Sequence, residues 1–144
     1  MGYTLIHNGT LIDGTGRAPL KGAAVLIADN RIQVVERAVE MTLPNVEMEM
    51  IDAQGGYIMP GFIDTHVHIM FEGMNIPKMM TTPFSLNFYK AAQYMRRTID
   101  AGITSVRDAA GADLGVKQAV EQGYLIGPRL QISITALSLS LIHI

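Results

Sequence analysis

The hydrophobic pattern changes period partway along the chain. Up to about residue 58 it is short and alternating, and from Pro60 onward it becomes a rotation of β-branched runs and helical stripes. In the first part, Tyr3–His7 and Thr10–Asp13 read as strands joined at Asn8-Gly9, a two-residue hairpin signal. Asp13-Gly14-Thr15-Gly16 is a turn cluster. Ala23–Ala28 and Arg31–Glu36 form a second hairpin around Asp29-Asn30, two residues that tolerate left-handed backbone. Val46, Met48 and Met50 alternate with Glu47 and Glu49, which marks a half-exposed strand. Asp52–Gly56 is a turn, and Tyr57–Met59 a last short strand. Closely spaced short strands of this kind predict a small β-sandwich or partial barrel.

Pro60-Gly61 breaks this pattern and starts a new unit. A short apolar strand ends there in Asp64-Thr65-His66-Val67-His68. Ile69–Pro83 carries four methionines without a clean period and reads as a loop, either a pocket wall or lid or a segment packed on its own scaffold. Ser85 can cap a helix to about Asp100, with Phe88, Ala92, Met95 and Ile99 as its stripe and Lys90, Arg96 and Arg97 on its solvated face. Gly102 stops it. Ile103–Val106 is a strand followed by Arg107-Asp108. A helix starts at Asp113 and stops at Gly123, and Leu130, Ile132 and Ile134 begin a third strand. Strand, helix, strand, helix, strand is the rhythm of a parallel sheet. Spacing alone does not separate an open sheet from a closed barrel, but no Gly-x-Gly-x-x-Gly opens either helix, which disfavours a dinucleotide-binding sheet.

The histidine pair carries the chemistry. On a regular strand, residues i and i+2 share a face, so His66 and His68 aim two imidazoles the same way, with Asp64 expected on that face. Two converging imidazoles are a metal half-site. Asp64 could orient one of them from behind. Arg107, at the end of the second strand, can meet a substrate carboxylate or pair with Asp108. His7 reads as a plain strand residue.

Composition narrows the field. The 144 residues are 49% hydrophobic with a net charge of −2 and no basic run, which argues against nucleic acid as a partner. The absence of cysteine excludes disulfides and thiolate metal sites. No secretory signal pattern and no apolar run of membrane-spanning length occurs, so a cytoplasmic protein without a membrane partner is expected.

Pro60-Gly61-Phe62-Ile63-Asp64-Thr65-His66-Val67-His68 resembles the opening barrel strand of the amidohydrolase superfamily, in particular its imidazolonepropionase-like and prolidase-like members. The segment from Leu5 to Ile32 resembles that family's N-terminal β-domain, GITSVRDAAG its second barrel strand and GPRLQIS its third. The resemblance implies an α/β protein: a small β-sandwich-like domain over residues 1–58, then the first three β/α units of a (β/α)8 TIM-type barrel over 59–138. It implies a metal-dependent hydrolase cleaving a C–N bond (amide, cyclic amide or peptide-type) of a small-molecule substrate with a metal-activated water. The cofactor would be one or two divalent ions, with zinc favoured by the imidazoles, and the full-length form can be a homo-oligomer. The same architecture also fits a deaminase, a phosphoester hydrolase or a non-catalytic binding module.

In that family the remaining ligands are a lysine on strand four and histidines on strands five and six, with an aspartate after strand eight as ligand and base. A barrel takes roughly 250 residues, far more than follow Gly61, and nothing here matches those later positions. The chain as given therefore reads as an N-terminal fragment without a complete catalytic set. Leu139–Ile144 breaks the resemblance and matches one reading frame of a common sequencing adaptor, so it reads as a non-native tail, and His143 is not counted as a ligand.

Overall fold

The computed structural model describes residues 2–73 and 75–136. The tail 139–144, with His143, lies outside the described residues. The chain divides into two compact units, one up to Pro60 and one from Gly61.

The first unit holds β1 (Tyr3–Leu11), β2 (Leu20–Ala28), β3 (Arg31–Arg37), β4 (Met48–Asp52) and β5 (Tyr57–Ile58). They form one mixed sheet in the order β3-β2-β1-β4, with β5 also paired to β1. The β1–β2 and β2–β3 pairs are antiparallel, while β4 and β5 run parallel to β1. Leu5, Ala24 and Leu26 are its buried centre, with Tyr3, Val34, Met41 and Met48 packed around them. The Asp29-Asn30 turn forms as expected: Ala28 pairs with Arg31, and Asp29 takes a φ of 52°.

Asn8-Gly9 does something other than turn the chain. A type I′ hairpin needs left-handed backbone at both central residues, and of this pair only Asn8 has it, with a φ of 57°. One such residue makes a bulge, so β1 continues through it, with register shifts on both sides of Gly9. The bulge is held from the parallel side. The Asn8 carbonyl accepts the Gly55 amide at 2.7 Å, and Asn8 Nδ2 donates to Asp52 Oδ1 at 2.7 Å. The Gln54 amide bonds the same oxygen at 2.8 Å and, with Asn8, holds the Asp52 carboxyl below its usual value. Here β1 changes parallel partner, from β4 at His7 to β5 at Thr10. Glycine is needed beside the bulge because a Cβ on Gly9 would lie 2.8 Å from the Ile58 side chain.

The second unit contains β6 (Phe62–Val67), α1 (Ile76–Thr81), α2 (Phe84–Asp100), β7 (Ile103–Asp108), α3 (Leu114–Glu121) and β8 (Arg129–Ile132). The strands form a parallel sheet in the order β6-β7-β8. One face is covered by helices. Val106 and Leu130 pack with Ala91 and Met95 of α2 and Val116 of α3, and Val67 joins from β6.

Helix ends explain where the sequence pattern and the structure diverge. The expected loop over 69–83 contains α1, started by Asn75, whose Oδ1 accepts the Lys78 amide at 3.0 Å, with a proline in the first turn. At six residues, α1 is too short to show a period. Helix α2 starts at Phe84 behind Pro83 with no side-chain cap, so Ser85 is a first-turn residue. For α3, Asp113 caps as expected, its Oδ1 accepting the Val116 amide at 2.9 Å. Strand β8 stops at Ile132, and Ile134 turns out of it with a φ of 65°. Among the described residues, no helix is long and apolar enough to cross a membrane.

Met95 has no exposed surface, belongs to the helix-side core and lies beside the turn at Gly127. Met95→Ala is expected to lower stability by about 2–5 kcal/mol, the range for a large-to-small change at a packed site. Urea unfolding followed by circular dichroism measures it.

Candidate metal centre at the end of the first parallel strand

Strand β6 delivers His66 and His68 to its C-terminal end, with ring centroids 5.2 Å apart and planes at 83°. His66 is exposed and His68 half-buried. They reach the open side of the sheet through a bulge. Asp64 pairs with Val106 and Val67 with Asp108, so β6 advances three residues where β7 advances two. By register Asp64 and Val67 both belong to the helix-covered side, and the extra residue turns His66 and His68 to the other.

This alters the expected part of Asp64. It does not share a face with the histidines, and its Oδ1 accepts the backbone amide of His66 at 3.0 Å instead of an imidazole hydrogen. The bulge is braced a second time by Arg107, whose Nε donates to the Thr65 carbonyl at 2.8 Å. Arg107 then lines a shallow hollow of about 360 Å³ with His66, Gln131 and Ser133. His68 borders a different hollow, beside Tyr94 and Arg97 of α2.

An Arg107–Asp108 pair does not form, because adjacent strand residues face opposite ways. Asp108 lies on the helix side, fully buried, and makes bonds the sequence reading missed. Its Oδ2 accepts the Ile69 amide at 2.8 Å and its Oδ1 the Ala112 amide at 3.2 Å. One carboxylate thus ties the residue after His68 to the turn after β7. That turn presents the Ala110 carbonyl 3.3 Å from His68 Nδ1. With Nδ1–H donating to Ala110, Nε2 is the nitrogen left with a lone pair, the arrangement of a metal-binding histidine. The available signal was parity: Asp108 sits two residues after the core-facing Val106.

A second charged group holds the segment after β6. Glu72 Oε2 accepts from Lys78 Nζ of α1 at 2.8 Å and Lys90 Nζ of α2 at 2.9 Å. These bonds, Lys78 first, bring the Glu72 carboxyl down to about 2, and its bond raises Lys90. Lys90 is therefore part of a clamp, not simply of a solvated face.

The donor chemistry of the histidine pair fits a borderline ion such as zinc. Among the described residues no group of three or more His, Cys, Asp or Glu side chains could hold a metal.

A profile described as "Amidohydrolase family" matches residues 57–140, more than half the chain. The chain belongs to the amidohydrolase family. It is 30% identical to ochratoxinase from Aspergillus niger over 141 residues, covering 94% of this chain and 28% of that protein. It is 35% identical to an imidazolonepropionase from Anaeromyxobacter dehalogenans over 77 residues, 49% of this chain and 18% of the relative. Among solved structures, a prolidase complexed with N-methylphosphonate-L-proline superposes with a TM-score of 0.83 and 37% identity, covering 94% of this chain and 33% of that one. The chain thus spans about a third or less of the length of these relatives. The match covers the N-terminal part of amidohydrolase structures, and the mixed α/β architecture agrees with what the resemblance implied.

Asp108→Asn keeps one acceptor but sets an NH2 group against the second amide. It is expected to lower stability by about 1–3 kcal/mol, the penalty for a buried unpaired donor, readable in urea unfolding. The Glu72 clamp is fully formed above the ordinary carboxyl value of 4.5 and is lost as pH falls through about 2. A carbon-detected NMR titration of Glu72 gives its midpoint, and a value near 4.5 would exclude the clamp.

Proposed function

We propose that the full-length parent of this chain is a divalent-metal hydrolase of C–N bonds, that His66 and His68 are two of its metal ligands, and that the fragment alone is inactive for want of the remaining ones. The observation that carries this reading is the pair of imidazoles 5.2 Å apart at a parallel-strand end, with His68 Nδ1 directed to a backbone carbonyl. The names of relatives, among them imidazolonepropionase, dihydroorotase and prolidase, favour an amide, cyclic amide or peptide-type bond in a small molecule. Zinc suits the imidazoles, and one or two ions are compatible with the pair. When bound, such an ion acts as a Lewis acid toward the scissile carbonyl and makes water more acidic.

The chain's own residues divide the remaining work. His66 and His68 supply neutral nitrogens. Asp64 and Arg107 brace the bulge that turns them outward. Arg107 is the group we assign to a substrate carboxylate; its Nε bond to Thr65 and its place beside His66 in the hollow support that reading.

Metal analysis of the purified full-length parent tests the ligands: the wild type should retain a divalent ion and the His66→Ala/His68→Ala double variant should lose it. Equal metal content in both sinks the assignment. Hydrolysis of N-acyl amino acids and Xaa-Pro dipeptides by the full-length parent should be abolished by chelation and restored by zinc, while the fragment alone should show none. Arg107→Met should raise KM for carboxylate-bearing substrates roughly 10- to 100-fold, the worth of a charge-assisted hydrogen bond. Amides without a carboxylate should lose less, by only the amount that loss of the Arg107 brace on the Thr65 carbonyl costs.

A further inference from the structure

His68 is met on one face by a residue with no polar side-chain atom. The Phe71 ring stacks on the imidazole, with centroids 5.8 Å apart and planes 28° from parallel. The preceding residues, Ile69 and Met70, pack into the helix-side core, but Phe71 turns toward the histidine. The far edge of its ring rests on Gly111. A Cβ there would lie 2.8 Å from Phe71 Cζ and 3.2 Å from Met70 Cβ. Gly111 has a φ of 107°, which also favours glycine, and it directly follows Ala110, whose carbonyl faces His68. Phe71 therefore fills the gap between the imidazole and the turn that carries its hydrogen-bond acceptor.

Magnitudes decide what orients the ring. The His68 Nδ1 to Ala110 distance of 3.3 Å exceeds the usual N–H···O range, so that bond restrains the ring weakly. His66 meets it only at an edge, at 83°. A stacked face blocks rotation of the imidazole out of its plane, which neither of the other contacts does. The segment bearing Phe71 is itself anchored by the next residue, Glu72, through Lys78 and Lys90.

We propose that Phe71, backed by Gly111, is a positioning residue for His68: it keeps the imidazole in the rotamer with Nδ1 toward Ala110 and Nε2 free for the ion. This rests on His68 being a metal ligand.

The test measures Co²⁺ and Zn²⁺ affinity of the purified protein by competition with a chromophoric chelator, alongside thermal unfolding. Phe71→Leu removes the planar face. Phe71→Met does the same with a flexible side chain that fills the space, and it decides the matter should the leucine variant fail to fold. Val120→Ala, which trims the helix-side core, is the stability control. The Phe71 variants are expected to bind both ions roughly 10- to 100-fold more weakly, the usual effect of losing a ligand's support. The control should bind as the wild type does while melting lower. Unchanged affinity in the Phe71 variants overturns the proposal, as does a loss that merely tracks stability across all variants. If wild type and the His66→Ala/His68→Ala variant bind alike, the metal reading itself fails. Binding that depends on the histidines but not on Phe71 removes only this inference.

Discussion

The buried carboxylate of Asp108 is the constraint on which the second unit's working end depends. A parallel sheet fixes its strands through the ladder, but the residues beyond the strand ends have no such partners. Asp108 supplies them. It accepts the amides of Ile69 and Ala112, one beside His68 and the other beside the turn that holds Ala110. A carboxylate this deep persists only where donors compensate its desolvation. Two backbone amides from different segments provide that compensation, and in doing so they fix the distance between the two segments.

Around that point the supports act in series. Asp108 sets the separation of the loops, Phe71 occupies the space so defined, and Glu72 pins the segment carrying Phe71 to α1 and α2. The helix side contributes rigidity through Met95, Val106 and Leu130. His68 makes a polar contact through Nδ1 to Ala110, which leaves its Nε2 without a protein partner among the described residues. The arrangement follows a general rule: side chains are held precisely when the groups behind them are locked.

Much of this was readable from the residues. The change of period at Pro60, the Asp29-Asn30 turn, the Asp113 cap and the histidine pair are local signals, and each operates as local signals do. The failures share a cause. Asn8-Gly9 is a bulge because Asp52 and Gly55 engage Asn8 from more than forty residues away. Asp64 leaves the histidines' face because an extra residue is inserted opposite β7. The α1 helix is too short to have a period, and the partner of Glu72 on α2 lies eighteen residues on. Asp108 was misjudged because its nearest charge in sequence, Arg107, is on the opposite face of the strand. Non-local pairing decides each case, and a single sequence does not display it.

The bulge in β6 also makes the histidines' direction a matter of counting. Between two pairs that face the helices, β6 carries an odd number of steps where β7 carries an even one. Pair the same residues without the bulge and the count becomes even: the ladder would close more regularly, and His66 would stand opposite Asp108 and take Val67's place against the helices. The more perfect sheet would be the one with no outward imidazole pair. At this strand end regular pairing and the outward display of two imidazoles are opposed.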